Sequence, residues 1–201
     1  MNALIEYIGS HPNWRNELTQ KPYCLTIKDN GVYTILNYNQ IDSDFTNPVV
    51  RVARGIIIND IEEIVCHPFD KFANYGESYA DKIDWSTARV EEKRDGSIIK
   101  VWYAEGVWHL STNGMIDAFE TDLPTPMNDC ASFGSLFVIA AGNTCGSYGD
   151  FLKKIDPYKN YTLMFELTSP WNRVVVPYTD TTITYIGARN KDTDQEELLD
   201  I

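Results

Sequence analysis

Lys93 is followed by Arg94, Asp95 and Gly96, and the stretch Glu91-Glu92-Lys93-Arg94-Asp95-Gly96-Ser97-Ile98-Ile99-Lys100 sets it between two strand-like runs. An amine so placed can project from the end of a sheet, and the neighbouring glycine leaves room for a ligand to approach the backbone. That arrangement suits a lysine nucleophile. An ordinary lysine is protonated at neutral pH, so attack requires neighbouring positive charge or desolvation to favour the neutral amine. Arg54, Lys71 and Arg94 are the candidate neighbours. Alone, Lys-Arg-Asp-Gly more readily describes a charged hairpin turn than a nucleophile, so its meaning depends on what surrounds it.

With 201 residues, 43% hydrophobic and 23% charged, the chain suits one large soluble domain, or a core with a small appendage. A net charge of -12 argues against general adhesion to nucleic acid or anionic membrane, so any nucleic-acid contact must be local. Cys24, Cys66, Cys130 and Cys145 lie far apart, and with His11, His67 and His109 they form no zinc spacing; they read as reduced thiols. No apolar run reaches membrane-spanning length, and Met1-Asn2-Ala3-Leu4-Ile5-Glu6 lacks the features of a secretory signal. A cytoplasmic location is expected, with no membrane partner.

The elements that must position Lys93 can be read in order. Residues 2–9 place Leu4, Ile5 and Ile8 on one helical face, and Pro12 opens a second short helix through Leu18. Cys24 to Tyr38 alternates around Asp29-Asn30-Gly31, which predicts a β-hairpin. Val49 to Ile58 is a β-branched run expected as a strand, with an Asn59-Asp60 turn and a return through about His67. Ala88 to Lys93, Ile98 to Tyr103 and Val107 to Ser111 predict a meander with turns at Asp95-Gly96 and Glu105-Gly106. A helical insertion over about 115–158 holds helices near Ala131 to Ala141 and Tyr148 to Ile155. Strands are expected at Tyr161 to Thr168, Arg173 to Pro177 and Thr182 to Arg189, and a last helix from Gln195 to Ile201. The sum is an α+β chain dominated by antiparallel strands.

Four segments then recur in a telling order: Ala53-Arg54-Gly55-Ile56, Pro68-Phe69-Asp70-Lys71-Phe72-Ala73-Asn74, Lys93-Arg94-Asp95-Gly96-Ser97 and Phe165-Glu166-Leu167-Thr168-Ser169-Pro170-Trp171-Asn172-Arg173-Val174-Val175. Together they resemble the covalent nucleotidyltransferase superfamily of ATP-dependent ligases and capping enzymes, and within it the phage T4 RNA ligase 1 family. The resemblance covers nearly the whole chain. It implies a nucleotidyltransferase fold (ATP-grasp-like, the ligase adenylation type), of which residues 1–201 would be the N-terminal part.

The chemistry so implied is attack by Lys93 on the α-phosphorus of ATP, capture of AMP, its passage to an RNA 5′-phosphate and sealing by a 3′-hydroxyl, with Mg²⁺ assisting and RNA repair, of tRNA for instance, as the setting. Arg54 and Lys71 would bind phosphate or ribose oxygens. Glu166 would accept from ribose hydroxyls or help position metal, and Gly96 would let the nucleotide approach. Asp95 fits a contact near the lysine or a turn-forming role equally well. Ile186 matches an adenine-packing position, although an apolar strand residue is more often core. Arg173 matches a contact to RNA or phosphate, or pairs with an acid. Tyr38 and Trp171 are candidates to stack on a base, with packing the commoner fate of such aromatics.

Two departures temper the expected activity. The family's basic residue after the nucleophile turn corresponds to Asn113, in Ser111-Thr112-Asn113-Gly114, which keeps hydrogen-bonding capacity without charge. The family also continues into a metal-binding glutamate strand and a Lys-x-Lys strand, and the sequence stops before either. One transition-state charge donor is worth about 10²–10³ in rate, so weak adenylylation by these residues alone is expected, with a C-terminal segment or second chain completing the site. A non-catalytic nucleotide-binding or interaction module and a split enzyme are the alternatives, with a DNA ligase or capping enzyme the nearest other catalyst.

Overall fold

Asn2 caps the first helix: its Oδ1 accepts from Leu4 N at 3.0 Å and Ile5 N at 3.4 Å, which starts α1 (Ala3–Ser10). The computed structural model describes residues 2–127 and 130–201. A single turn, α2 (Trp14–Glu17), follows and buries Trp14. β1 (Thr26–Asp29) and β2 (Tyr33–Asn37) form the expected hairpin, with Gly31 at φ 88° in its turn. β3 (Arg54–Asn59) and β4 (Ile64–Cys66) complete a four-stranded antiparallel sheet in chain order.

The β-branched run does not begin as a strand. Asn47 Oδ1 accepts from Val49 N at 2.9 Å and Pro48 occupies the first turn, so Pro48–Val52 winds into α3. A local cap and a proline with preset φ overrule the strand propensity of three valines. Its apolar face, with Leu4, Trp14, Leu36 and Ile56, forms a core on the outer side of the first sheet.

The second sheet is built from β5 (Ser97–Ala104), β6 (Val107–Ser111), β9 (Tyr161–Thr168), β10 (Thr182–Asn190) and β11 (Glu196–Glu197), in the order β11-β10-β9-β5-β6. Between β6 and β9 lie a two-stranded ribbon, β7 (Asp122–Met127) and β8 (Cys130–Ser132), and the helices α4 (Phe133–Cys145) and α5 (Tyr148–Ile155). The predicted helical insertion therefore also contains strands. Phe137 and Phe151 of these helices meet Phe165 of β9 in a T-shaped aromatic cluster over Ile99, Val101 and Leu163. Full burial of each phenylalanine contributes about 1.5–3 kcal/mol.

Alternation along β5 decides where the sheets meet. Ile99 and Val101 face the helices, whereas Trp102 faces the first sheet and packs with Tyr33, Ile35, Ile57 and Cys66. The cleft described below opens at the end of that inter-sheet seam.

Three expected elements are absent at their positions. Residues 88–93 make no strand, and Gly96 leads directly into β5 rather than turning a hairpin; from Lys100 to Trp102 β5 is paired on both sides, with β9 and β6, which leaves Ser97–Ile99 as the stretch open to a returning strand on the β6 side. Residues 173–177 are a loop: β9 is likewise flanked on both sides, by β5 and β10. The C-terminal helix is replaced by β11, where Arg189 and Ala188 pair with Glu196 and Glu197. Asp194, at φ 59°, turns the chain back along β10, and Leu199 and Ile201 still pack on the helix-side core. Among the described residues no helix is long and apolar enough to cross a membrane.

Candidate active site

One cleft of about 1340 Å³ gathers residues from both sheets and from the strip before β5: Arg54, Lys93, Gly96, Asn113, Glu166 and Ile186 all line it. Of the remaining candidates, Lys71, Asp95 and Arg173 are not among its lining residues.

Its floor is the open face of the second sheet. Ile98, Glu166 and Thr184 are cross-strand neighbours on β5, β9 and β10, and all three line the cleft. Phe165 is buried beneath, so strand alternation turns Glu166 upward. Glu166 Oε1 accepts from Gly96 N at 2.9 Å. Burial pushes its carboxyl above the ordinary range, partly countered by that hydrogen bond and the nearby positive charge of Lys93 and Arg54. Gly96 is required by space: a Cβ there would collide with Leu167 O and stand 2.9 Å from Thr168 Cγ2.

A bulge between Tyr185 and Gly187 in the β9–β10 pairing displaces Ile186 to the cleft wall. Gly187, at φ 151°, passes against the Phe69 ring, which would lie 2.6 Å from any Cβ. The opposite wall carries Arg54 at the start of β3. Its Nη1 donates to Asp70 O at 3.2 Å and its guanidinium lies 4.7 Å from the Phe72 ring centroid, yet Nε is buried without a partner. Asn113 Oδ1 is also buried without a partner. A buried donor and a buried acceptor left unsatisfied in one cleft is costly unless a ligand or water completes them.

Lys93 stands on an exposed strip in which every residue from 81 to 93 is exposed. Asp95 ties that strip down: its Oδ2 accepts from Val175 N and Val176 N, each at 2.7 Å, and its own N–H donates to Tyr178 Oη at 3.1 Å. Those backbone bonds, with help from Lys93, hold its carboxyl below the usual range. Asp95 is thus a clamp between the Lys93 strip and the loop after β9. Lys71 turns away, with Nζ donating to Phe72 O at 2.7 Å and lying 5.2 Å from the Phe45 ring. Arg173 Nε donates to Val175 O at 3.2 Å on the exposed loop. Tyr38 packs on Phe45 and Trp171 on the helix-side core.

Sequence reading passed over three features. Asn172 is buried and holds Leu167 O and Ser97 Oγ through Nδ2 at 2.8 and 3.2 Å, which gives a packing role to the Pro-x-Asn segment. Glu196, Glu197 and Leu198 form part of the cleft wall. Lys100 is wholly buried, and its position in the apolar run Ile98-Ile99-Lys100-Val101-Trp102 was the available signal. Among the described residues no group of three or more His, Cys, Asp or Glu side chains is placed to hold a metal ion, so no ligand set is assigned to Mg²⁺.

An α+β chain with a lysine-edged cleft, a carboxylate on its sheet floor and an arginine on its facing wall has the parts of a group-transfer site for an anionic ligand. A family model described as RNA ligase, of the T4 RNA ligase 1 kind, matches residues 52–200, and the chain belongs to that family. It is 33% identical over 175 residues to a protein of Autographa californica nuclear polyhedrosis virus described as a bifunctional polynucleotide kinase/RNA ligase. That match covers 79% of the chain and 24% of the viral protein. It is 29% identical over 174 residues to an RNA ligase of Rhodothermus phage RM378, covering 69% of the chain and 37% of the relative. The chain thus corresponds to about a quarter and somewhat over a third of these relatives' lengths. Among solved structures, an ATP-dependent DNA ligase from Aquifex aeolicus superposes with TM-score 0.49 at 13% identity, over 92% of this chain and 44% of that one.

Proposed function

We propose that this chain is the adenylyltransferase part of an ATP-dependent RNA ligase, with residues 1–201 forming the N-terminal portion of that domain. The neutral Nζ of Lys93 attacks the α-phosphorus of ATP, the bond to the β-phosphate oxygen breaks, and pyrophosphate leaves as the amine gives up a proton. AMP held as a phosphoramidate then passes to an RNA 5′-phosphate, and a 3′-hydroxyl displaces it to seal the strand. Arg54 meets phosphate or ribose oxygens, Glu166 accepts from ribose hydroxyls, Gly96 admits the nucleotide and Ile186 packs against the base. Asp95 places the Lys93 strip. Lys71 and Arg173 remain contacts for phosphate or RNA, each requiring a side-chain rotation. Mg²⁺ would supply charge neutralisation on the polyphosphate.

The observation that carries this reading is the convergence of Lys93, Arg54 and Glu166 on one cleft, with Arg54 Nε and Asn113 Oδ1 both lacking partners. Labelled ATP and Mg²⁺ test it: slow covalent labelling is expected, faster when the C-terminal portion of a family relative is supplied in trans, and absent in Lys93→Ala. No label under either condition sinks the catalytic reading. The uncharged Asn113 favours a second one, a nucleotide-binding module, for which ATP affinity would be unchanged by Lys93→Ala and no pyrophosphate would be released.

A further inference from the structure

Lys100 is the largest charged side chain removed from solvent, at 0% exposure, and the chemistry above does not use it. On β5 it shares a face with Ile98 and Trp102. Ile98 lines the cleft and Trp102 seals the seam between the sheets, so Lys100 lies one step inward from the cleft floor. Its Nζ donates to Gly55 O, its only acceptor among the described residues, although an ammonium carries three donors. Gly55 has φ 81°, and a Cβ there would stand 2.7 Å from Asn113 O and 2.8 Å from Lys100 Nζ. The amine, the residue after Arg54 and the Asn113 backbone therefore crowd onto one point.

A cation buried with a single acceptor is expensive, and burial does lower the amine's pKa, to about 8, opposed by the nearby Cys66 thiol. Apolar residues would fill this seam at less cost. It lies beside Gly55 and the Asn113 backbone, the segments that also carry two unpartnered polar atoms, Arg54 Nε and Asn113 Oδ1.

Resting on the nucleotide reading of the cleft, we infer that Lys100 is a positioning residue for the ligand's anionic end: it holds the Gly55 carbonyl where the Asn113 backbone packs against it, and it supplies positive charge from beneath the floor beside the uncharged Asn113. In a low-dielectric seam this charge is poorly screened, so it acts across the floor without touching the ligand. Attack by Lys100 itself is disfavoured because its amine is sealed under Gly55.

Calorimetry with ATP, AMP and adenosine on the intact chain tests the inference in Lys100→Met, Lys100→Gln and Lys100→Met/Asn113→Lys. Glutamine keeps a donor for Gly55 O, so at least one neutral variant retains the local bond. Both neutral variants should weaken ATP about tenfold and AMP less, leave adenosine within about twofold, and regain ATP affinity when Asn113→Lys restores a cation. Equal losses for ATP and adenosine would reduce Lys100 to packing and overturn the inference, as would unchanged ATP affinity in the folded variants or failure of Asn113→Lys to restore it. Wild-type protein that binds neither ATP nor adenosine would instead defeat the nucleotide reading itself.

Discussion

Glu166 and Lys93 line the same cleft, but the backbone beneath them differs in kind. Glu166 stands in β9, paired throughout with β5 and β10, and its carboxylate is held to Gly96 N. Lys93 stands on residues 88–95, which join no sheet, at the end of a stretch exposed from 81 to 93. One side of the site is thus preorganised, and the other depends on Asp95 and on whatever occupies the cleft. On the proposed reading the rigid floor fixes where the ligand lies, while ordering Lys93 as the nucleophile draws on binding energy. Few buried contacts and an exposed backbone mark the strip as the part that opens most easily.

This contrast breaks most severely at Gly96, where strip and floor touch. Gly96→Ala drives a methyl group into Leu167 O and Thr168 Cγ2, and should cost about 1–3 kcal/mol in a urea titration while weakening ATP binding. An unchanged midpoint would mean the floor yields. Glu166→Gln should have a smaller effect and the opposite sign for stability. Its carboxyl is raised by burial, so the cost of keeping it ionised is present above the raised pKa and is relieved as pH falls through it. The glutamine variant should lose ATP affinity at neutral pH yet be no less stable there. It should also lack the wild type's decline in ATP binding on acidification, which begins above the ordinary glutamate value.

Asp95→Ala sharpens the comparison from the exposed side. Hydrogen exchange at the Val175 and Val176 amides should quicken about tenfold while β9 amides are unaffected. Because the Asp95 carboxyl is held low, this clamp persists in the wild type below pH 3.8 and fails only as pH drops through its folded pKa. The smallest effect is expected behind the cleft. His67 is buried with Nδ1 2.6 Å from Asp194 Oδ1 and Nε2 3.2 Å from Asp70 Oδ1, and Arg189 joins the same acids. Burial lowers the imidazole pKa, but the two carboxylates outweigh it and the net shift is upward. Its stabilisation is full below pH 6.5 and is lost as pH rises through the folded value. His67→Gln should remove about 1 kcal/mol of that pH-dependent stability, seen as a flatter melting temperature between pH 6 and 9.

What sequence revealed follows the range of the forces involved. The hairpin around Asn30-Gly31, α5 from Tyr148 to Ile155 and β9 from Tyr161 to Thr168 were legible because their turns, caps and apolar spacing are local. Residues 88–93 and 173–177 carry strand-like residues but no strand, because a strand needs a paired partner as well as a β-prone sequence, and β5 from Lys100 to Trp102 and β9 from Thr162 to Leu167 are already paired on both sides. The C-terminal helix was misread because Arg189 draws Glu196 to 2.6 Å across the sheet, a contact invisible to helical periodicity. At the site, Arg54, Lys93, Gly96, Asn113, Glu166 and Ile186 were found through ordered motifs and do line one cleft. Lys100 belongs to none of those segments and was missed, because its importance lies in the sheet-to-sheet seam.

The central claim is that the exposed strip delivers Lys93 to a nucleotide held on the Glu166 floor. Peptide mapping by mass spectrometry, after incubation with ATP and Mg²⁺ and the C-terminal portion of a family relative, tests it most directly. The account predicts AMP on Lys93 and on no other lysine, with Lys100 unmodified. AMP found on another lysine, or none bound at all, would contradict it.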